Sequence, residues 1–383
     1  MAPLLPVNDL TFGPNSQRFA YVARGAEGWH VVVDGTERAA LELVMPGSLT
    51  FSPDGRRVAY SALNAPSGFV VIVDGREYAR YRGGLGARFV FSPKSNDLAY
   101  FASDDPAGAT GSPHDPFSML RNNQDFSGGK WFVVRNGARS RKYDRCLGAA
   151  PVFSPDGAQM AYGAELQHKQ FVVVNDREDT HFDSIRGNSI VFSPDSRGMA
   201  YVGRLQGKWC VVVDGEKQEA FDEVADAPPT FSPDSKRVAY VASLNGKWLV
   251  VVDGKSHREY NAVGQPVFSP DSTRVAYEAS DARGMFVVVD ATEQRHFRML
   301  NARDVTFSPD SSQLAYCAET SDGWCVVVGG VKGQSYSGVL SRDSRSVFFQ
   351  SPSVCHYWAW KRDNRLYMVT QQMRGRGPGA AGP

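Results

Sequence analysis

Residues 229–254 read Pro-Thr-Phe-Ser-Pro-Asp-Ser-Lys-Arg-Val-Ala-Tyr-Val-Ala-Ser-Leu-Asn-Gly-Lys-Trp-Leu-Val-Val-Val-Asp-Gly, and this stretch decides the fold. Thr230-Phe231 is a short apolar strand. In Ser232-Pro233-Asp234-Ser235 the proline presets one φ, and the Asp and Ser side chains can bond the turn backbone. Arg237 to Val241 predicts a second strand, and Leu244-Asn245-Gly246 a hairpin connection. Lys247 to Val252 predicts a third strand, apolar after its first residue. Asp253-Gly254 is a strong hairpin signal. The more polar run His257 to Val263, with Tyr260 as its aromatic, predicts a fourth strand. Val250-Val251-Val252 does not alternate, so this strand is covered on both faces.

The same pattern recurs along the chain. Its anchor falls at Phe12, Phe51, Phe91, Phe153, Phe192, Phe231, Phe268 and Phe307, and in degenerate form at Leu340. A period near 40 residues with strand-like units means an array of similar modules. Four-stranded antiparallel sheets buried on both faces and repeated in this way stack as blades. The chain is therefore expected to be all-β, a single closed β-propeller of four-stranded antiparallel blades with nine repeats. Eight blades plus a displaced remnant is the alternative count. The propeller is expected over residues 1–373. Its ninth blade, at 339–370, takes Val339-Leu340, Ser346 to Phe349, His356 to Trp360 and Leu366 to Val369 as four strands. Leu4 to Val7 could add an edge strand, though Pro3 and Pro6 oppose a regular ladder. The Gly- and Pro-rich residues 374–383 are expected to form a disordered tail.

The strand, S-P-D-G turn and second strand resemble the WD40-like PD40 repeats of TolB-type propellers. The likeness spans about 360 of the 383 residues. Gly13-Pro14-Asn15, Pro93-Lys94 and Ser341-Arg342-Asp343-Ser344 depart from it. TolB proteins carry an additional N-terminal domain and a secretion signal that this sequence does not show, so their envelope role is not implied.

With 42 basic and 41 acidic residues, the net charge is +1. This does not support bulk electrostatic capture of nucleic acid or of an anionic membrane. The first residues show no basic and apolar leader pattern. The expected location is cytoplasmic, or periplasmic if a leader was removed. Of five cysteines, Cys210 and Cys325 follow Trp209 and Trp324 where other repeats carry Leu249, Phe132 or Phe286, so they read as small core residues. A Cys317–Cys325 bridge is conceivable on one hairpin but disfavoured in a reducing compartment.

Candidates for chemistry are few. No two of the seven histidines have zinc-ligand spacing, and His30 reads as a satisfied core histidine. Gly333-Gln334-Ser335-Tyr336-Ser337 fails the nucleophile-elbow pattern. Asp54, Asp156, Asp195, Asp234, Asp271, Asp310 and Asp343 fall in S-P-D-type turns. Asp34, Asp74, Asp214, Asp253 and Asp290 follow the third strands. They could ring a calcium site, but each is better read as serving its own turn. No metal, cofactor or catalytic residue is expected.

One repeat breaks the symmetry. Tyr100 to Trp131 spans 31 residues where Tyr240 to Trp248 spans 8, an insertion at 104–129. Long loops on rigid scaffolds are functional or disordered. His114, Phe117, Met119, Leu120 and Arg121 are its candidate binding residues, with self-packing and disorder as the other readings. The function expected is a non-catalytic, monomeric scaffold binding a protein or peptide on the loop face, with no nucleic acid or membrane partner. The alternative is small-ligand or carbohydrate binding, possibly with lyase or hydrolase activity, at the channel mouth. Thr11, Thr50, Val90, Val152, Val191, Thr230, Val267, Thr306 and Val339 would line that channel.

Overall fold

The computed structural model describes residues 8–64, 68–86, 88–94, 96–105, 125–126, 129–301, 304–340, 346–361 and 365–372. Among them the chain is all-β, a propeller fold built from nine successive antiparallel sheets, numbered here in chain order. The one helical turn among the described residues is the 3-10 turn Gly187–Ser189. Two compact units are distinguished, Met1–Gly207 with Val211–Lys217, and Lys208–Cys210 with Gln218–Pro383.

Sheet six shows the construction. Val238–Leu244 pairs along its length with Lys247–Val252, the two strands predicted from the A-Y and V-V-V runs. Its first strand is interrupted: Glu223–Val224 and Thr230–Phe231 both pair with Val238–Leu244. The predicted fourth strand is divided. Lys255–Ser256 pairs with the third strand, and Tyr260 bridges to Trp248. Ala262–Val263 has already joined sheet seven, opposite Ser280 and Ala279. The expectation of one strand from His257 to Val263 is therefore corrected: Tyr260 is a pivot where the chain leaves one sheet for the next.

The A-Y pair is the core signature. Ala276 and Tyr277 are both 0% exposed, and Val287 and Val288 match them. Full burial of such a valine contributes about 1.5–3 kcal/mol. Clusters run from one sheet to its neighbour, as where Ala239, Val250 and Val252 pack with Phe268, Tyr277 and Phe286. All five cysteines are free and buried. Cys210 and Cys325 occupy the core positions expected of them, at 5% and 0% exposure. His30 Nδ1 lies 3.0 Å from the Arg38 carbonyl, so it is a satisfied, half-buried histidine.

The S-P-D turn is a closed bonding unit. The Ser232 hydroxyl donates to Asp234 Oδ1 at 2.6 Å and accepts from the Arg237 amide at 3.0 Å. The Asp234 amide donates to the Ser272 hydroxyl of the next sheet at 2.9 Å. Asp253 Oδ1 accepts from the Val238 amide, and its Oδ2 receives Arg237 Nε at 2.8 Å. Arg237 continues to the carbonyls of Ser272 and Thr273 and lies over the Phe268 ring. The turn carboxylates thus serve their own backbones and staple neighbouring sheets. Asp343 lies outside the described residues.

These bonds favour the ionised carboxylate. The Ser52 hydroxyl and the Arg56 amide hold Asp54 down to about 2. Ser269 and the Thr273 amide do the same for Asp271, also to about 2. Asp156, Asp234 and Asp310 are lowered by the same serine contact. A depressed folded pKa adds stability that is present above the unfolded value and lost as pH falls through the folded one. The melting temperature is therefore expected to hold above roughly pH 5 and to drop between roughly pH 4 and pH 2. Thermal melts across that range check this; an unchanged value at pH 2 would refute the turn-carboxylate account.

The insertion in sheet three ends in structure. Asp125–Phe126 pairs with Cys146 and Leu147, adding a rung to the first strand of sheet four.

Candidate interaction edge on sheet nine

Sheet nine departs from its predecessors. Gly338–Val339 and Val347–Ser351 both pair with Val354–Trp360, so together they form an interrupted first strand. The hairpin between Val347–Ser351 and Val354–Trp360 turns at Pro352 and Ser353. Leu366–Gln372 then pairs residue for residue with the other side of Val354–Trp360, Tyr357 opposite Val369 and Trp360 opposite Leu366. The predicted pairing of these two segments and all four predicted strands are present, but their predicted order across the sheet is corrected. Val347–Ser351 extends the first strand, Leu366–Gln372 is the third rung, and no fourth rung follows among the described residues. Tyr367 accordingly does not occupy the place of Tyr260.

Alternation gives this sheet two faces. Val347, Cys355, Tyr357 and Ala359 are buried and pack on Ala315, Val326 and Tyr336 of sheet eight. Tyr357 meets Tyr336 edge to face at 6.1 Å. In the preceding sheets the opposite face is covered, as where the consecutive Val287 and Val288 are both 0% exposed. Here it carries Phe348, Trp358, Leu366 and Met368, exposed by 45%, 44%, 52% and 62%. Aromatic residues and methionine are enriched in interface cores. In the other unit, sheet one likewise exposes Leu10, Phe12 and Phe19.

The edge itself is Leu-Tyr-Met-Val-Thr-Gln-Gln, with no charge and no proline. Edge strands are normally blunted by one or the other. The sequence instead puts charge at its two ends: Lys361, Arg362 and Arg365 before it, Arg374 and Arg376 after it, against Asp363. Lys361 lies 5.9 Å from the Tyr336 ring centre and 5.4 Å from that of Tyr367.

Beside the start of this strand opens a cleft of about 670 Å³, lined among others by Arg298, Gly323, Ser335, Ser337 and Lys361. It forms where a repeated staple is missing. At the matching place Lys169 reaches Asp183 at 3.0 Å, and Asp183 also accepts from the Gln206 amide. Lys130 with Asp144 and Lys208 with Asp222 repeat the arrangement. Sheet eight has Gly323 for the lysine and Ser337 for the aspartate. Gly323 does not admit a lysine in this conformation: its φ is +112°, and a Cβ would lie 2.3 Å from the Tyr336 carbonyl oxygen.

The sequence-predicted binding residues His114, Phe117, Met119, Leu120 and Arg121 lie outside the described residues. The nine predicted channel residues are each half-buried. The sheet-nine face was missed, although apolar residues on both phases of residues 347–368 were the available signal.

No family model and no curated protein matches the chain. Among solved structures, it is similar to one described as a eukaryotic initiation factor, at 13% identity, covering 97% of this chain and 91% of that one, with a TM-score of 0.45. It is similar to the β-propeller domain of Cps50 (Swd1) from Myceliophteria thermophila, at 11% identity and 73% and 95% coverage, with a TM-score of 0.33. It is also similar to TolB from Acinetobacter baumannii, at 12% identity and 81% and 77% coverage, with a TM-score of 0.29. The fold assignment rests on the nine sheets.

Proposed function

We propose that the chain is a non-catalytic interaction scaffold, built of PD40-type repeats, that captures an extended segment of a partner protein by strand addition to Leu366–Gln372. The observation that carries this reading is the three-rung sheet nine, with an uncharged seven-residue edge beside an exposed apolar face. Strand addition takes its affinity from main-chain hydrogen bonds and its specificity from alternate side chains. An incoming strand would set apolar residues against Leu366 and Met368 and acidic residues against the basic ends. The repeated polar side chains elsewhere bond their own turns, which suits a rigid support.

Peptide-display selection on the full chain tests this. Enriched peptides are expected to alternate apolar residues and carry acidic flanks. Met368→Lys is expected to weaken their binding at least about tenfold while leaving the fold intact, since a charge blunts an edge. If the edge is instead filled from within the chain, no such peptide will be enriched and the Leu366–Gln372 amides will resist hydrogen exchange. Either result refutes the reading.

A further inference from the structure

Between sheets one and two lies a cavity of about 240 Å³, lined among others by Arg18, Arg38, Arg56, Tyr60, Asp74 and Gly75. Two arginines in and beside it are committed. Arg18 bonds Asp34 at 2.7 Å and the carbonyls of Gly55 and Arg56 at 2.8 and 2.7 Å. Arg57 donates to Asp74 at 3.3 Å and to the Asn96 carbonyl at 3.1 Å. Asp54, outside the lining, is bonded by Ser52 and Asn96.

Arg38 is different. Its main chain is used, the amide donating to the Val31 carbonyl at 3.0 Å and the carbonyl facing His30. Its guanidinium attracts the Asp34 carboxylate electrostatically. Nε is buried and has no hydrogen-bond acceptor among the described residues. The group lies over Gly75, where a Cβ would stand 3.3 Å from Nη1. Gly75 has a φ of +78°, so the turn favours glycine and the floor beneath the guanidinium stays open.

The repeats show what belongs at this position. The residue four beyond the third-strand Asp or Asn serves the buried tyrosine of the next sheet. Asp179 accepts from Tyr201 at 3.0 Å, and His257 meets the Tyr277 hydroxyl at 3.2 Å. Sheet one substitutes a permanent cation, which cannot be neutralised by losing its proton. A buried donor nitrogen left without an acceptor is costly, and Nε of this half-buried arginine is one. Of the three lining arginines Arg18 is paired with Asp34, and Asp74 is engaged by Arg57, which leaves Arg38 and Arg56 as the positive charge facing the cavity.

We infer that this cavity is a binding site for a small tetrahedral oxyanion, phosphate or a phosphate monoester, held by the Arg38 guanidinium with Arg18 and Arg56 at its sides. The planar fork of arginine matches phosphate oxygens two at a time, and charge-assisted bonds of this type are strong. The volume admits a single phosphate group with a small substituent.

The test uses the full chain at fixed ionic strength, because exposed charges are screened by salt. Inorganic phosphate and methyl phosphate are titrated separately by calorimetry, with sodium chloride as the control. Saturable one-to-one binding is expected for at least one of them, accompanied by a rise in melting temperature. Arg38→Met is expected to weaken it by at least about tenfold, and Arg56→Ala, at an exposed position, by several-fold. Preference for methyl phosphate would assign the site to a phosphorylated molecule, and preference for the inorganic ion to free phosphate. If neither binds the wild type, or if both variants bind as the wild type does, the inference is wrong. Should Arg38→Met fail to fold, Arg56→Ala alone decides.

Discussion

A chain ending at Asp363 is expected to melt well below the full-length protein. The truncation removes Leu366–Gln372 and with it a seven-residue ladder on Val354–Trp360. It also bares side chains that are now covered: Tyr357 is 1% exposed and Cys355 0%. Gln371, which accepts a bond from the Tyr357 hydroxyl, is lost as well. Half-burial of Tyr367 and Val369 alone corresponds to about 1.5–3 kcal/mol. In a chain of this size that alone is a fall of roughly 2–4 °C, to which the lost ladder adds. Scanning calorimetry of the truncated and full chains reads it directly. Met368→Lys keeps the ladder and should leave the melting temperature nearly unchanged. A truncated chain that melts with the wild type would mean that Leu366–Gln372 adds nothing to sheet nine.

Tyr277→Ala is expected to cost about 3–5 kcal/mol, the range for an aromatic removed from a closed core. Tyr277 is 0% exposed and packs with Phe268, Phe286 and Val288. Its hydroxyl meets His257 Nδ1 at 3.2 Å. Tyr277→Phe keeps the ring and gives up only that bond, for which about 1 kcal/mol is expected. Denaturant titration of both variants separates packing from hydrogen bonding. Equal losses in the two would place the stabilisation in the hydroxyl and overturn the packing account.

The two strands that form each hairpin were legible because their signals are physical and local. Val250-Val251-Val252 must be covered on both faces, and Asp253-Gly254 must turn. Strand ends were less legible. Nothing in His257 to Val263 marks Tyr260 as the point of departure, because the switch depends on which neighbour each residue meets. Sheet nine misled for a related reason. Ser341-Arg342-Asp343-Ser344 keeps the composition of the repeated turn, whereas the turn into the next strand falls later, as a tight hairpin at Pro352-Ser353 without the aspartate. The candidate edge became visible only once the strands could be counted. The Arg38 cavity was not legible at all, since Arg18, Arg38 and Arg56 are brought together by packing between two repeats.

The staples between sheets have a consequence for synthesis. The bonds joining one sheet to the next connect residues 35 to 42 apart: Arg237 to Ser272, Arg18 to Gly55, Asn96 to Asp54. A nascent chain therefore needs about one further repeat outside the ribosome before the preceding sheet can be fastened. Assembly can proceed in step with translation, each module templated by the last, and the search for partners does not lengthen as the chain grows. Gain or loss of a whole module by gene duplication or deletion would leave every remaining fastening with a partner.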